Sequence, residues 1–288
     1  MAPLVSVLMS CYNAEQHIDE AINSLLNQTY QNIEFIFVND GSTDNTLAKI
    51  EAFNDDRIQI LTHTNKGIVE ALNNAIQYCT GKYIARMDAD DISSLDRIEK
   101  QVAFMEGFNK VSACGGSINE FNENGFIKKT SRPTKHQDLL FYSLHRAPIS
   151  NPSSMIRRSI LIENELSYDP IYKYGQDVKL WSEILKVGLL ANIPDVILEY
   201  RKSLDQVSTK HRAEQKSLAH KVRIDTYHFI QKEFSNFETV SSENQYHFYR
   251  FMARHDNSLN KMKKLSKITL SSVKPLKKLL LICSVIFK

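Results

Sequence analysis

Three acids crowd into four residues in the stretch Arg86-Met-Asp88-Ala-Asp90-Asp91. Carboxylates so close repel one another, and a solvated turn could tolerate them. Placed at a strand tip, an oxygen-only donor set also suits Mg²⁺ or Mn²⁺. These ions take one or two carboxylates and fill the rest of their octahedron with water or phosphate oxygens. Arg86 beside them would either assist there or stand as a solvated strand-end residue. A second acid, Asp40, lies in Asn39-Asp-Gly-Ser-Thr-Asp44. Gly41, Ser42 and Asp44 fit a turn followed by a helix, with Ser42 or Thr43 as the cap. Asp40 comes too early for that and could accept hydrogen bonds from a nucleobase or ribose. A third acid, Asp177, opens the apparent helix Tyr174-Gly-Gln-Asp-Val-Lys-Leu-Trp181. By residue type alone it reads as an N-terminal acid favoured by the helix dipole, with Leu180 and Trp181 as core.

Other chemistries are excluded by what is missing. The loop after the first apolar run, Ser10-Cys-Tyr-Asn13, has no glycine; the first glycine in the chain is Gly41. There is no G-x-G-x-x-G after a first strand and no G-x-x-x-x-G-K-[ST] anywhere, which argues against dinucleotide dehydrogenases and P-loop NTPases. The nine histidines form no H-x-x-x-H or H-E-x-x-H pair. The four cysteines form no C-x-x-C, which excludes a disulfide scaffold or zinc ribbon and fits a reducing compartment. Cys11 reads as a small packed residue.

These residues need elements to position them, and the hydrophobic pattern supplies an alternation. Val5 to Ser10, Ile33 to Val38, Arg57 to Thr62 and Lys82 to Met87 read as strands. Between and after them, Ala14 to Gln28, Thr43 to Phe53, Gly67 to Cys79 and Leu95 to Phe108 carry helical spacing. Such βα units predict an α/β fold with a mostly parallel sheet flanked by helices. Right-handed crossovers put the strand C-termini on one edge, the ligand edge of such folds, and so gather Ser10, Asp40 and Asp88. Further on, Asn122-Glu-Asn-Gly125 predicts a hairpin turn. Helices are expected at Gln137 to Leu144 and Asp177 to Val187, and strands at Ser154 to Ile156 and Leu190 to Tyr200.

Of the 288 residues, 42% are apolar and 24% charged, an ordinary globular balance. The net charge of +3 hides an asymmetry. Residues 1–208 carry 20 Lys and Arg against 27 Asp and Glu, residues 209–288 carry 16 against 6, and the last 28 residues hold eight Lys and no acid. This divides the chain into a domain over 1–208 and a helical basic C-terminal extension over 209–288. In the tail, Lys261, Lys263, Lys264 and Lys267 alternate with Met262, Leu265 and Ile268. Lys277-Lys278 then precede the apolar run Leu279 to Phe287. Nine helical residues span about 14 Å, under half of a hydrocarbon core of about 30 Å. The tail is therefore expected to sit on an anionic membrane surface without crossing it; the alternative is packing on the domain or on a second copy in a homodimer. No signal peptide is read at the start. A nucleic-acid-binding use of the tail is disfavoured, because the acidic edge would repel phosphate.

Taken together, Val5-Ser-Val-Leu-Met-Ser-Cys-Tyr-Asn13, Val38-Asn-Asp-Gly-Ser-Thr-Asp44, Asn65-Lys-Gly67, Ala85-Arg-Met-Asp-Ala-Asp-Asp91, Asp96-Arg97, Asp177 with Trp181, Tyr200-Arg201 and Val207-Ser208 resemble glycosyltransferase family 2. These are inverting nucleotide-sugar transferases of GT-A fold. The resemblance implies that Ser10, Tyr12 and Asp40 hold the nucleotide, with Lys66 and Arg86 nearby. It implies that Asp88 and Asp90 form a D-x-D motif, Asp90 being the direct ligand of Mn²⁺ or Mg²⁺, and that Asp177 is the catalytic base. It also implies a hexosyl- or N-acetylhexosaminyltransferase using a nucleotide-sugar donor, here a UDP-sugar, and a glycan or lipid-linked acceptor in surface polysaccharide or lipopolysaccharide assembly. The cytoplasm, at the inner face of the cell membrane, is the implied location. The other enzyme considered, a sugar-phosphate nucleotidyltransferase, would need a basic Gly-rich first loop that Ser10 to Glu15 lacks. Two positions depart from the family pattern: Gln176 where Glu precedes the base, and Asn151-Pro152 where many members have His-Pro.

Overall fold

A computed structural model describes residues 2–203, 206, 211–233 and 241–255. The first four strands are β1 (Val5–Cys11), β2 (Ile33–Asp40), β3 (Ile58–His63) and β4 (Tyr83–Asp88). They pair in parallel in the order β3-β2-β1-β4. The connecting helices are α1 (Ile18–Leu26), α2 (Thr46–Glu51) and α3 (Ile68–Ile76). Both faces of the sheet are covered, so β1, β2 and β4 are buried almost throughout and read as continuous apolar runs.

Beyond β4 the sheet is mixed. After β5 (Ile92–Ser93) and α4 (Arg97–Gly107), β6 (Val111–Asn122) and β7 (Gly125–Thr130) form the expected hairpin. α5 (His136–Tyr142) leads to β8 (Met155–Arg157), which enters between β4 and β6 and runs antiparallel to both. Then follow α6 (Arg158–Glu163), α7 (Gln176–Val187) and β9 (Leu189–Arg201), which pairs with β6 in parallel. The last described helices are α8 (Arg212–Glu233) and α9 (Ser242–His255). They belong to the basic extension, yet Tyr227, Ile230, Phe248 and Phe251 are buried in the same apolar cluster as Leu140, Trp181 and Leu185. No described helix is long and apolar enough to cross a membrane. The lysine-rich tail from Lys261 onward, and Val207-Ser208, lie outside the described residues.

Several boundaries differ from expectation for one reason: loop amides are taken by side chains distant in sequence. The first helix begins at Ile18 and not Ala14. The amide of Ala14 donates to Thr46 Oγ1 and that of Glu15 to Asp44 Oδ2. The second helix begins at Thr46, not Thr43, because the Thr43 amide donates to Asn13 Oδ1. Neither Ser42 nor Thr43 acts as its cap. The Asp44 carboxylate accepts the Thr46 amide at 3.0 Å, while Ser42 Oγ accepts the amide of Asn13. The first two ligand-edge loops are thereby stitched to each other.

Candidate functional site

Ser10 and Asp88 are direct partners across β1 and β4, which places the first loop beside the acid cluster. Tyr12 follows, half-exposed at 51%, and Asn13 turns the chain with φ +48°. Cys11 is fully buried, and desolvation pushes its thiol up to about 12, so it is packing and not a nucleophile.

Asp40 ends β2 and is 3% exposed. Its Oδ1 accepts the amide of Lys66 at 2.8 Å and its Oδ2 the amide of Gly67 at 3.0 Å. The side chain predicted to hold the nucleotide thus first holds a neighbouring loop. A carboxylate oxygen accepts two hydrogen bonds, so capacity for a base or ribose remains. His63 packs on Asp40, with Nδ1 3.3 Å from Oδ1, and its buried Nε2 lacks a partner. Sequence reasoning missed His63. Gly41 closes this corner: its φ is +68°, and a Cβ there would lie 2.4 Å from the Asn65 amide nitrogen. The Lys66 ammonium points outward to Glu70 at 2.9 Å, one helical turn on.

Carboxylate oxygens of Asp88, Asp90 and Asp91 come within 4.8 Å of one another at the end of β4. Arg86 is not the solvated strand-end residue that was one of its two readings. It is 2% exposed, and its Nη2 pairs with Asp88 Oδ1 at 2.6 Å. Its Nε and Nη1 are buried without partners, so the guanidinium has capacity for another acceptor. Burial and then the Asp88 charge raise the Asp90 carboxyl to about 6. Asp91 is fully buried and raised well above the carboxylate range by burial, Asp88 and Asp90. Two carboxyls so raised beside a third, all offering oxygen, fit a hard divalent cation. Asp91 Oδ1 accepts the Arg201 amide at 2.8 Å, while its buried Oδ2 has no partner. Asp88, Asp90 and Asp91 each offer one oxygen to such an ion.

Arg201, at the end of β9, is the clamp on this turn. Its Nε donates to the Asp90 carbonyl at 2.8 Å, its Nη2 pairs with Glu20, and its guanidinium lies 4.6 Å from the centre of the Phe121 ring. Gln206 Nε2 reaches Asp90 Oδ2 at 3.5 Å. From below, the wholly buried Arg97 donates through Nη2 to the Arg86 carbonyl at 2.7 Å and to that of Ser154 at 3.3 Å. One cation thus ties β4 to the loop containing Asn151 and Pro152. The Tyr200-Arg201 and Asp96-Arg97 pairs were visible as motif pieces, but pattern alone assigned them no role.

Asp177 sits in the first turn of α7, where Gly175 takes the cap position without a side-chain cap. Burial raises its pKa, the Val178 and Asp177 amides favour its charge, and Asp88 opposes it. Its charge thus stands at the helix N-terminus and within electrostatic range of Asp88. Tyr168 connects the parts, since its buried hydroxyl, pushed up to about 12 by desolvation, feels Arg86, Asp177 and Asp88. Trp181 and Leu180 are core, as expected. At the two departures from the family pattern, Gln176 Oε1 and Asn151 Oδ1 are buried acceptors without partners.

Residues 6–164 match the family described as Glycosyl transferase family 2. An uncharacterized glycosyltransferase of Haemophilus influenzae is 39% identical over 235 residues, covering 77% of this chain and 72% of the relative. The UDP-Glc:alpha-D-GlcNAc-diphosphoundecaprenol beta-1,3-glucosyltransferase WfgD of Escherichia coli is 34% identical over 211 residues, covering 72% and 80%. Among solved structures, TarS 1-349 of S. aureus in complex with UDP superimposes with a TM-score of 0.65 at 18% identity, covering 98% of this chain and 78% of that one. The mannosyltransferase PcManGT of Pyrobaculum calidifontis, in complex with GDP-Man and Mn²⁺, gives 0.61 at 18%, covering 99% and 87%. The fold is therefore the GT-A fold of these enzymes, and the chain, by family match and by relatives aligned over most of their length, belongs to glycosyl transferase family 2.

Proposed function

We propose that the chain transfers a sugar, with inversion, from a UDP-sugar to a hydroxyl of a lipid-diphosphate-linked glycan in surface polysaccharide assembly. The observation that carries this is an acidic cluster at a strand tip with a further acid, Asp177, in its electrostatic range. The Asp88-Asp90 turn ends β4, Asp177 opens α7, and each lies within the other's electrostatic reach. The UDP-glucose donor and diphosphoundecaprenol-linked acceptor of WfgD, and the UDP complex of TarS, support the choice of substrates.

Ser10, Tyr12, Asp40 and the Lys66 loop line the side where the nucleoside would lie. Arg86, with two guanidinium nitrogens to spare, faces the diphosphate. Asp88 and Asp90 would hold Mn²⁺ or Mg²⁺, which supplies Lewis-acid neutralisation of the leaving diphosphate. Asp177 accepts the proton of the acceptor hydroxyl as its oxygen bonds to the anomeric carbon. The bond from that carbon to the diphosphate oxygen breaks in the same displacement, and UDP leaves with the electron pair. The centre passes through an oxocarbenium-like state and inverts, so an α-linked donor gives a β-glycoside. At the N-terminus of α7, the amides of Asp177 and Val178 favour the charged form that accepts a proton.

We further read residues 1–208 as the catalytic domain and the lysine-rich tail as a peripheral attachment to the inner face of the membrane. The experiment is a screen of UDP-sugars for Mn²⁺-dependent hydrolysis, repeated with Asp90→Ala. Hydrolysis of one donor by the wild type, and its loss in the variant and in chelator, is expected. Full activity in chelator would refute the metal assignment.

A further inference from the structure

A charged cavity lies on the side of the molecule formed by the basic extension. About 230 Å³ in volume, it is enclosed by the segment after α5, by α8 and by α9. Arg146, Arg223 and Arg250 line it with His145 and His220, over an apolar floor of Leu144 and Phe251. No aspartate or glutamate lines it. Arg146 is exposed and stands at the mouth, whereas Arg223 and Arg250 are partly buried in the walls. Arg223 Nε is buried without a hydrogen-bond partner. Three arginines and no carboxylate on the lining of one partly desolvated cavity make it a place that favours an anion. Guanidinium forks match the oxygens of phosphate in geometry as well as charge.

The position of this cavity identifies the anion. Gly175, two residues before Asp177, packs against α8, where a Cβ on it would lie 3.4 Å from Leu218 Cβ, and Arg132 Nε donates to the carbonyl of Ala147, next to Arg146, at 3.0 Å. The helix that carries Arg223 therefore also packs beside the turn that carries the candidate base. An acceptor that presents a sugar hydroxyl to Asp177 and carries a phosphate on that sugar would place the phosphate on this side. The donor diphosphate is proposed to lie at Asp88 and Arg86. We infer that the cavity between α5, α8 and α9 is the binding site for the diphosphate that joins the acceptor sugar to its lipid. This rests on the lipid-diphosphate-linked acceptor proposed above. It gives the first part of the basic extension a task in acceptor selection, separate from that of the tail.

The test reads binding without turnover. The full-length protein in chelator, where the acid cluster carries no metal, is titrated calorimetrically with farnesyl diphosphate and separately with inorganic phosphate. Farnesyl diphosphate should bind at least tenfold more tightly than phosphate, and the R146Q/R250Q double variant should lose at least tenfold of that affinity. Its affinity for UDP in Mn²⁺ should remain that of the wild type. R146E, at the exposed mouth where no packing is disturbed, is the second variant and should show the same selective loss. Equal wild-type affinities for the two ligands would make this a free-anion site and overturn the inference. Unchanged farnesyl diphosphate binding in both variants would overturn it as well. A wild type that fails to bind UDP in Mn²⁺ would instead strike the donor assignment, which this titration in chelator does not read.

Discussion

Replacing Asp177 by Asn tests the candidate base with the least disturbance, because shape and polarity are kept while the proton acceptor is removed. Loss of a positioned general base costs about 10²–10⁴-fold in turnover. At about 1.36 kcal/mol per tenfold, that is about 2.7–5.4 kcal/mol of transition-state stabilisation. Donor affinity should hardly change, since the donor diphosphate is proposed to lie at Arg86, Asp88 and Asp90. The structure also sets the sign of two further effects. Burial raises the Asp177 pKa above the ordinary carboxylate value, and Asp88 adds to the rise. The acid limb of kcat should therefore lie above about 3.9, the unperturbed value, and should vanish in the variant. An acid whose pKa is raised on folding contributes stability only below its unfolded pKa, and that contribution is lost as pH rises through the folded value. At neutral pH the charged Asp177 thus detracts from stability, apart from a helix-dipole gain of about 0.3–1 kcal/mol. Asp177→Asn should accordingly unfold at the same or a higher temperature than wild type. The assay is transfer of labelled sugar from the donor found by screening, with initial rates across pH and a thermal melt. Turnover within a few fold of wild type, or an acid limb that persists in the variant, would move the base elsewhere.

Gly41→Ala should destabilise the protein by about 1–3 kcal/mol, because it forces a side chain into positive φ and against the Asn65 backbone. Denaturant midpoints and the UDP dissociation constant should shift together; no change in either would count against the close approach. Arg201→Gln removes the clamp on the Asp90 carbonyl. It should weaken Mn²⁺ binding by about 10–100-fold, as loss of a supporting contact to a metal ligand does, and calorimetry with Mn²⁺ checks this. The tail is tested by flotation with anionic vesicles. The full chain should float at low salt and release at high salt, and a chain ending at Leu270 should remain soluble; equal behaviour of the two would make the tail a packing element.

Much of this protein was legible in its sequence because the relevant signals are local. Alternating apolar runs and helical spacing specify the βα units from Val5 to Phe108, since period and length follow from what each segment must bury. Acids at strand tips, Gly41 in a turn and the Asn122 to Gly125 hairpin are also local chemistry. The order and spacing of the motif pieces carried the family. Tertiary structure alone decided what those residues touch. The entry of β8 between β4 and β6, antiparallel to both, depends on pairing across about seventy residues of chain, which no local pattern encodes. Helix starts moved to Ile18 and Thr46 because amides of one loop found side-chain acceptors in another. Asp40 proved to hold the Lys66 loop, Arg86 to lie buried on Asp88, and Arg201 to clamp the Asp90 turn. Arg146, Arg223 and Arg250 lie on three separate segments and become one cavity only after α8 and α9 pack against the domain. Composition can show that the C-terminal part is basic. Where its charges converge depends on long-range packing that brings distant helices together.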